Sequence, residues 1–261
     1  MTIKVTGRLN KIPNFYLKKD GLKLYTLHTI KNTNRMRIVN TEVNLFINCF
    51  HTYLRTSKRI GPHDEDIISI IIGSLLGDAY GSKRLAVGTR IVFKQSIIHK
   101  DYLFWLHNFF LIRGYCSKLK PRLYNRKLKK NDKTNEYFGY EFATYTFSSF
   151  DWIYEMFYKE GKKIISINIK DYITPLSLAI WIADDGCWTG YGVRIASNSF
   201  TLKEVEFLSL ILKDKFQLIN TIQKIQTIDQ YSIYIVKKSV PRLREIVLVH
   251  MPFSMKYKLG I

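Results

Sequence analysis

From Asp64 onward the chain opens on acids and then turns apolar: in DEDIISIIIGSLLGD only Ser69, Gly73 and Ser74 interrupt the run from Ile67 to Leu76. Acids in a first turn followed by an apolar stretch with no polar face predict a helix buried on all sides. The same design recurs after ITP at 173–175. Thr174 suits an N-cap, Pro175 the first helical position, and LSLAIWIADDG then runs apolar up to two acids and a glycine. After each helix come alternating Gly- and Tyr-rich residues that predict strands (AYGSKRLAVGTRIVFKQS; CWTGYGVRIASNS). A helical pattern follows (IIHKDYLFWLHNFFLIRG; FTLKEVEFLSLILKDKF), then further strand-like segments.

The predicted class is therefore α+β, with the order α-β-β-α-β-β-α occurring twice. The acids that close the two apolar helices, Asp78 and Asp185, lie 185 − 78 = 107 residues apart, so the repeat is a divergent duplication of about one hundred residues. Three segments are expected: a lead-in over 1–60, a first half over 61–160, and a linker with the second half over 161–261. The basic stretch YKEGKKIISINIKD at 158–171 is the natural linker, and the lead-in contains strand-like LKLYTLHTI and VNLFINCFHTYL without a motif.

Charge narrows the partners. With 41 Lys and Arg against 21 Asp and Glu, the formal charge is +20, a surface that attracts polyanions: nucleic acid, anionic membrane or acidic protein. Cys49, Cys116 and Cys187 form an odd, widely spaced set without a CxxC pair, which predicts free thiols in a reducing compartment and no zinc site. No apolar run reaches the roughly 20 residues of a bilayer span. MTIKVTGRLNKIPNF lacks the apolar core of a secretory signal, so neither membrane insertion nor secretion is expected.

Gly73 and Gly77 sit at i and i+4 on one helical face, as do Ala179 and Ala183 on the other. Small residues at that spacing let two backbones approach closely. A crossing of this kind brings the C-terminal acids together, where they repel each other and meet the negative ends of two helix dipoles. A divalent cation resolves the conflict. Carboxylates, carbonyls and water suit Mg²⁺, or Mn²⁺ in its place, and such an ion can deliver a water to a phosphate.

With IIGSLLGDA at 71–79 and LAIWIADDG at 178–186, the chain resembles the LAGLIDADG homing endonucleases in their single-chain, two-motif form; the resemblance covers roughly 64–261. It implies motif helices packed at the centre of two pseudo-symmetric αββαββα halves, whose curved antiparallel sheets form a DNA-binding saddle. It implies a monomer acting on double-stranded DNA with a long target site, and cleavage of one phosphodiester per strand across the minor groove. By this likeness Asp78 and Asp185 take the catalytic, metal-binding position, while Gly77 and Asp184 precede them and offer carbonyls to the metal. Ala79 stands where the pattern has Gly. Asp184 stands where a small residue is common, which leaves two adjacent acids to choose between, with Asp185 favoured by register.

The resemblance also implies an amide that orients water near the metal, for which Gln95 in FKQS and Asn198 in ASNS are candidates. It further implies a lysine near each scissile phosphate. Among Lys162, Lys163, Lys256 and Lys258, register favours Lys163 and Lys258. For DNA contacts, CSKLKPRLY is expected to be an extended strand with Lys118, Lys120 and Arg122 on one face and Leu119 and Leu123 on a core face. The following YNRKLKKNDKTN, with Arg126, Lys127, Lys129, Lys130 and Lys133, reads as a flexible loop. Further candidates are Arg84, Arg90 and Lys94 in the first half and Arg194, Lys224 and Lys237 in the second.

Three other readings compete. Asp151 with Glu160-Gly161-Lys162 formally matches an Asp…Glu-x-Lys nuclease, but nothing duplicates it. An RNA maturase that binds the intron encoding it would suit the basic lead-in. A DNA-binding protein without catalysis would be expected to have lost an acid, and both are present. The visible excess of Ile, Lys, Asn and Tyr fits AT-rich coding, and with the resemblance points to a mitochondrial intron.

Overall fold

The structure is a computed structural model that describes residues 59–84, 87–130, 133–225 and 229–261, with the side chains of 128–134 outside that description. The lead-in, with its two strand-like stretches and Cys49, lies outside the described residues except for Arg59 and Ile60.

Helix α1 (Glu65–Leu76) starts behind Asp64, carries Glu65 and Asp66 in its first turn and ends at Gly77. Strands β1 (Tyr80–Arg84) and β2 (Gly88–Ser96) follow, then α2 (Lys100–Ile112), β3 (Arg122–Lys130), β4 (Lys133–Ala143) and α3 (Asp151–Phe157). A short hairpin, β5 (Tyr158–Lys159) and β6 (Lys162–Lys163), and one helical turn, α4 (Ile169–Tyr172), lead to the second motif helix α5 (Pro175–Asp185). The order then repeats as β7 (Gly186–Trp188), β8 (Val193–Ala196), α6 (Leu202–Phe216), β9 (Asn220–Lys224), β10 (Tyr231–Ile235) and α7 (Val240–Val247). Both four-stranded sheets are antiparallel and share one strand order, β1-β2-β4-β3 and β7-β8-β10-β9. The duplication read from the spacing of two acids is thus present in topology.

Thr174 caps α5 as expected: its side chain accepts from Ser177 N–H at 3.1 Å, and Ser177 Oγ accepts from Thr174 N–H at 2.7 Å. Thr174 Oγ1 also donates to Ser69 Oγ of α1 at 2.8 Å. From that point the two helices run in the same direction in close contact. A Cβ on Gly73 would overlap the Ser177 carbonyl oxygen and sit 2.9 Å from the Ile180 Cβ, and one on Gly77 would sit 2.7 Å from Asp184 Oδ2. Ile70, Ile71, Leu75, Leu178, Trp181 and Ile182 around this crossing are fully buried. Each such side chain contributes about 1.5–3 kcal/mol by leaving water.

One face of each sheet packs on the helices. In the first half Phe93 stacks on Phe142 at 4.8 Å and meets Phe110 of α2 at 5.0 Å. In the second, Ile195 and Ile233 share the core with Leu208 and Leu212 of α6.

Two sequence expectations are corrected. Residues 124–130 and 133–135 are not a loop: they belong to the paired strands β3 and β4, where Lys127 pairs with Glu136 at 2.7 Å and Asn125 donates to the same carboxylate at 3.1 Å. The basic run looked unstructured because the acid that balances it comes from the opposite strand. Conversely, Lys118 and Lys120 precede the strand, which begins only at Arg122. Pro121 lacks the N–H a ladder requires and fits only at a strand's start. Leu119 and Leu123 are 79% and 52% exposed and belong to no core.

Replacing Gly73 by Ala tests the helix crossing. The added methyl meets backbone, so we expect a loss of about 1–3 kcal/mol in denaturant unfolding. A solvent-facing helical glycine would instead gain about 1 kcal/mol on the same change, and an unchanged or raised midpoint would refute the close approach.

Candidate active site at the paired helix ends

Because α1 and α5 cross at small residues and run the same way, their last turns emerge side by side. Neither last turn contains a basic residue. The compensating charges come from elsewhere in each half. Lys163 of β6 donates to the carbonyl of Gly77 at 3.2 Å, and Lys258, from the 3-10 turn Phe253–Leu259, donates to the carbonyl of Asp184 at 2.6 Å. Each lysine thus binds the residue just before an acid, a matched arrangement that pairs Gly77-Asp78 with Asp184-Asp185.

Register therefore makes Asp185 the counterpart of Asp78, and Asp184 plays a different part. It is 9% exposed and reaches across to the first half. Its Oδ1 accepts from Gln95 Nε2 at 3.0 Å and its Oδ2 accepts from the Asp78 N–H at 3.4 Å. Gln95 Nε2 also donates to Asp78 Oδ2 at 2.9 Å, so one amide ties acids from both halves together.

All three carboxyls bind protons more tightly than an isolated Asp. Burial holds Asp184 well above the usual range, reinforced by the charge of Asp78. Burial likewise pushes Asp185 up to about 7, with Asp78 adding to the rise and Lys163 and Lys258 opposing it. The Asp78 residue keeps contact with solvent, yet burial of its carboxyl raises it too, against the hydrogen bond from Gln95 and the charges of Lys258, Lys163 and His99. Burial lowers the proton affinity of both lysines, against the attraction of the acids. Such a cluster stays fully ionised only if further positive charge joins it.

The two halves are not equivalent at the amide. Asn198 is exposed in a turn, while Ser197 beside it is 2% exposed and donates to the Tyr231 carbonyl at 2.8 Å. Pairing shows why. Tyr80 lies opposite Val92, three residues before Gln95, and Cys187 lies opposite Arg194, three residues before Ser197. The position matching Gln95 is therefore Ser197, which is no amide, and Asn198 is offset by one residue from it. Two further groups were not foreseen. Tyr102 of α2 has a fully buried phenol close to Asp184 but without a hydrogen bond of ordinary geometry, and its proton affinity is pushed well up by burial and then by that acid. His99 stacks on Tyr257 at 6.4 Å, and burial, then the charge of Lys258, lowers its proton affinity.

Residues opposite one another on neighbouring strands share a face. Arg84 lies opposite Gly88, Lys94 opposite Glu141, and Glu141 opposite Arg122, which places Arg84, Arg90, Lys94 and Arg122 on the face away from the helices. Lys118 and Lys120 are exposed in the loop entering β3. In the second sheet Arg194 is exposed on the corresponding face, opposite Tyr234. Lys224 is not with it: its strand turns Asn220 and Ile222 toward the core side, and Lys224 shares their parity. Lys237 lies in a 3-10 turn, 5.5 Å from the ring of Tyr191. The competing triplet does not assemble. Asp151 accepts from Thr89 Oγ1 at 2.6 Å, Glu160 is exposed at the β5–β6 turn, and no hydrogen bond or ion pair joins them among the described residues. Cys116 is buried and Cys187 is exposed.

A duplicated αββαββα unit with acids at two crossing helix ends defines the class of protein: the chain belongs to the LAGLIDADG DNA endonuclease family, whose profile matches residues 68–243. Among its relatives, the intron-encoded endonuclease ai4 of Dictyostelium discoideum is 52% identical over 157 residues, covering 60% of this chain and 99% of that protein. The cytochrome b mRNA maturase bI2 of Saccharomyces cerevisiae is 41% identical over 212 residues, covering 78% of this chain and 49% of the maturase. The homing endonuclease I-WcaI, solved bound to its DNA recognition sequence, superposes with a TM-score of 0.68 at 27% identity over 78% of this chain and 90% of its own.

The acid cluster predicts how the metal-free protein responds to pH. Asp185 binds its proton with a folded value of about 7 against 3.8 for an ordinary Asp. Between these values the folded state carries more protons than the unfolded one, so stability falls as pH rises through the window. In EDTA, Asp185→Asn should raise the unfolding midpoint at pH 8, with the gain vanishing below about pH 4. A gain independent of pH would contradict the assignment.

Proposed function

We propose that this protein is a site-specific double-strand DNA endonuclease of the homing type, encoded in an organellar, and specifically mitochondrial, group I intron, and that it acts as a monomer on a long target site. The observation that carries the reading is the matched pair of centres, each an acid at a helix end with a lysine on the carbonyl before it.

Asp78 and Asp185, with the carbonyls of Gly77 and Asp184, would hold Mg²⁺ or Mn²⁺. The fit rests on the donor set, which is oxygen only, and on the convergence of Asp78, Asp184 and Asp185 at two helix ends where Gln95 Nε2 bridges Asp78 and Asp184. When bound, the cation neutralises phosphate charge and lowers the pKa of a coordinated water. The protein's own groups do the rest. Gln95 fixes the Asp78 carboxylate and presents an amide beside it. Lys163 and Lys258 place a cation next to each acid, where charge develops on a phosphodiester under attack. Arg84, Arg90, Lys94, Arg122 and Arg194 face the duplex from the sheets.

Single Asp78→Asn and Asp185→Asn variants should bind the target within about threefold of the unaltered chain while double-strand cleavage falls by on the order of a thousandfold. The target would first be recovered by selecting cut sites from a randomised library. Unchanged cutting by either variant would sink the site assignment.

A second reading, an RNA maturase acting on its own intron, is supported by the similarity to the yeast maturase. If both roles reside in the chain, the two Asn variants should lose DNA cleavage and still promote splicing of the intron in vitro; loss of both together would count against a separate RNA function.

A further inference from the structure

The basic face of the first sheet contains one acid that the sequence reading passed over. Glu141 of β4 stands between Lys94 of β2 and Arg122 of β3 in a single cross-strand row. Lys94 Nζ lies 3.0 Å from Glu141 Oε2, and Arg122 binds Oε1 through both Nε, at 3.1 Å, and Nη2. The carboxylate side chain is only 15% exposed, whereas Arg122 is 77% exposed. These residues line a hollow of about 520 Å³ together with Tyr80, Arg90 and Lys120.

A surface ion pair contributes little to stability, and an acid in a polyanion-binding face weakens phosphate contacts. The neighbouring Lys127–Glu136 pair, exposed at both ends, is an ordinary solvated pair. Glu141 differs: both its oxygens are engaged and it is recessed beneath the guanidinium it holds. Neighbouring donors keep its carboxyl ionised against its burial. Of five guanidinium N–H groups, two are used on Glu141, which leaves three at the exposed end in a fixed plane. A fixed fork matches the O6 and N7 acceptors of guanine in the major groove, the commonest specific contact made by arginine.

We propose that Arg122 reads one guanine of the target and that Glu141 is the positioning residue that aims it, with Lys94 holding the far oxygen of Glu141. The inference rests on the DNA-endonuclease reading given above. It assigns the trio a role in sequence preference, where a phosphate contact would supply affinity alone.

The test uses the full-length chain and the duplex recovered by library selection, with binding measured to every single-base-pair substitution of that duplex in Ca²⁺. The unaltered chain should discriminate at least about tenfold at one G·C pair. Arg122→Lys, which keeps the charge and loses the fork, and Glu141→Gln, which keeps the shape and loses the anchoring charge, should each cut that preference below about threefold at the same pair. Preference at other positions should stay unchanged, and so should the salt dependence of Arg122→Lys, which conserves charge. The inference is overturned if either variant weakens all targets uniformly, if the two variants relax different positions, or if the relaxed pair has no guanine. If the unaltered chain selects and cuts no DNA, the endonuclease reading itself falls and takes this one with it; if it cuts normally but both variants keep its profile, only the Arg122–Glu141 assignment falls.

Discussion

The contact of Gly73 and Gly77 with the backbone and side chains of α5 sets the position of everything else at the site. A methyl at either glycine would occupy space already filled by Ser177, Ile180 or Asp184. Absence of a side chain on α1 is what lets two helices run abreast until both end at the same place. The apolar residues around the crossing make the arrangement stable, but they do not choose it. Close packing of Ile, Leu and Trp is satisfied by many crossing geometries, whereas only one lets Asp184 lie over Gly77.

That constraint creates an electrostatic problem that the fold only partly solves. Two helix ends, each the negative pole of a dipole, deliver three carboxyls into one cleft. Lys163 and Lys258 offset this by binding carbonyls of the last turns, the groups that have no partner within the helix. Their own proton affinity is lowered by burial, so they are placed at a cost as well. What remains is a cluster with more negative charge than the protein compensates, which is the physical condition for recruiting a cation.

Much of this was legible in the sequence, and the failures have definite causes. The helices, their caps and the duplication could be read because apolar periodicity, Thr174-Pro175 and the i, i+4 small residues are local signals. Asp78, Asp185, Lys163 and Lys258, which the structure brings together, are candidates from sequence because each half repeats them. The strand carrying Arg126 and Lys127 was misread because its balancing acid, Glu136, comes from the next strand, and composition cannot show a cross-strand pair. Lys118 and Lys120 were assigned to a strand although Pro121 already argued against it. Asn198 suggests itself as an amide, but strand pairing puts Ser197 at the position of Gln95, and only register shows that Lys224 lies on the core side of its sheet. Glu141 and Tyr102 left no trace at all: one acid between two cations, and one buried phenol near a buried acid, exist only once the sheet and the helices are assembled.

The same comparison shows where duplication stopped short of symmetry. Position 77 is glycine and its partner position is Asp184; position 95 is glutamine and its partner is Ser197. These differences are coupled. Asp184 fits only because Gly77 leaves room for it, and Gln95 is held from both sides because Asp184 offers an oxygen beside that of Asp78. Neither substitution would serve without the other, and Ser197, turned to the Tyr231 carbonyl, offers Asp185 no corresponding anchor. The first acid is thus held by a residue from the second half, while among the described residues the second acid is surrounded by the charges of Asp78, Lys163 and Lys258. A chain assembled from two equal halves could not build this link, since two carboxylates at positions 77 and 184 would compete for one space. Divergence of the two halves within one chain permits it, so that the centre at Asp78 depends on a carboxylate that only the other half provides.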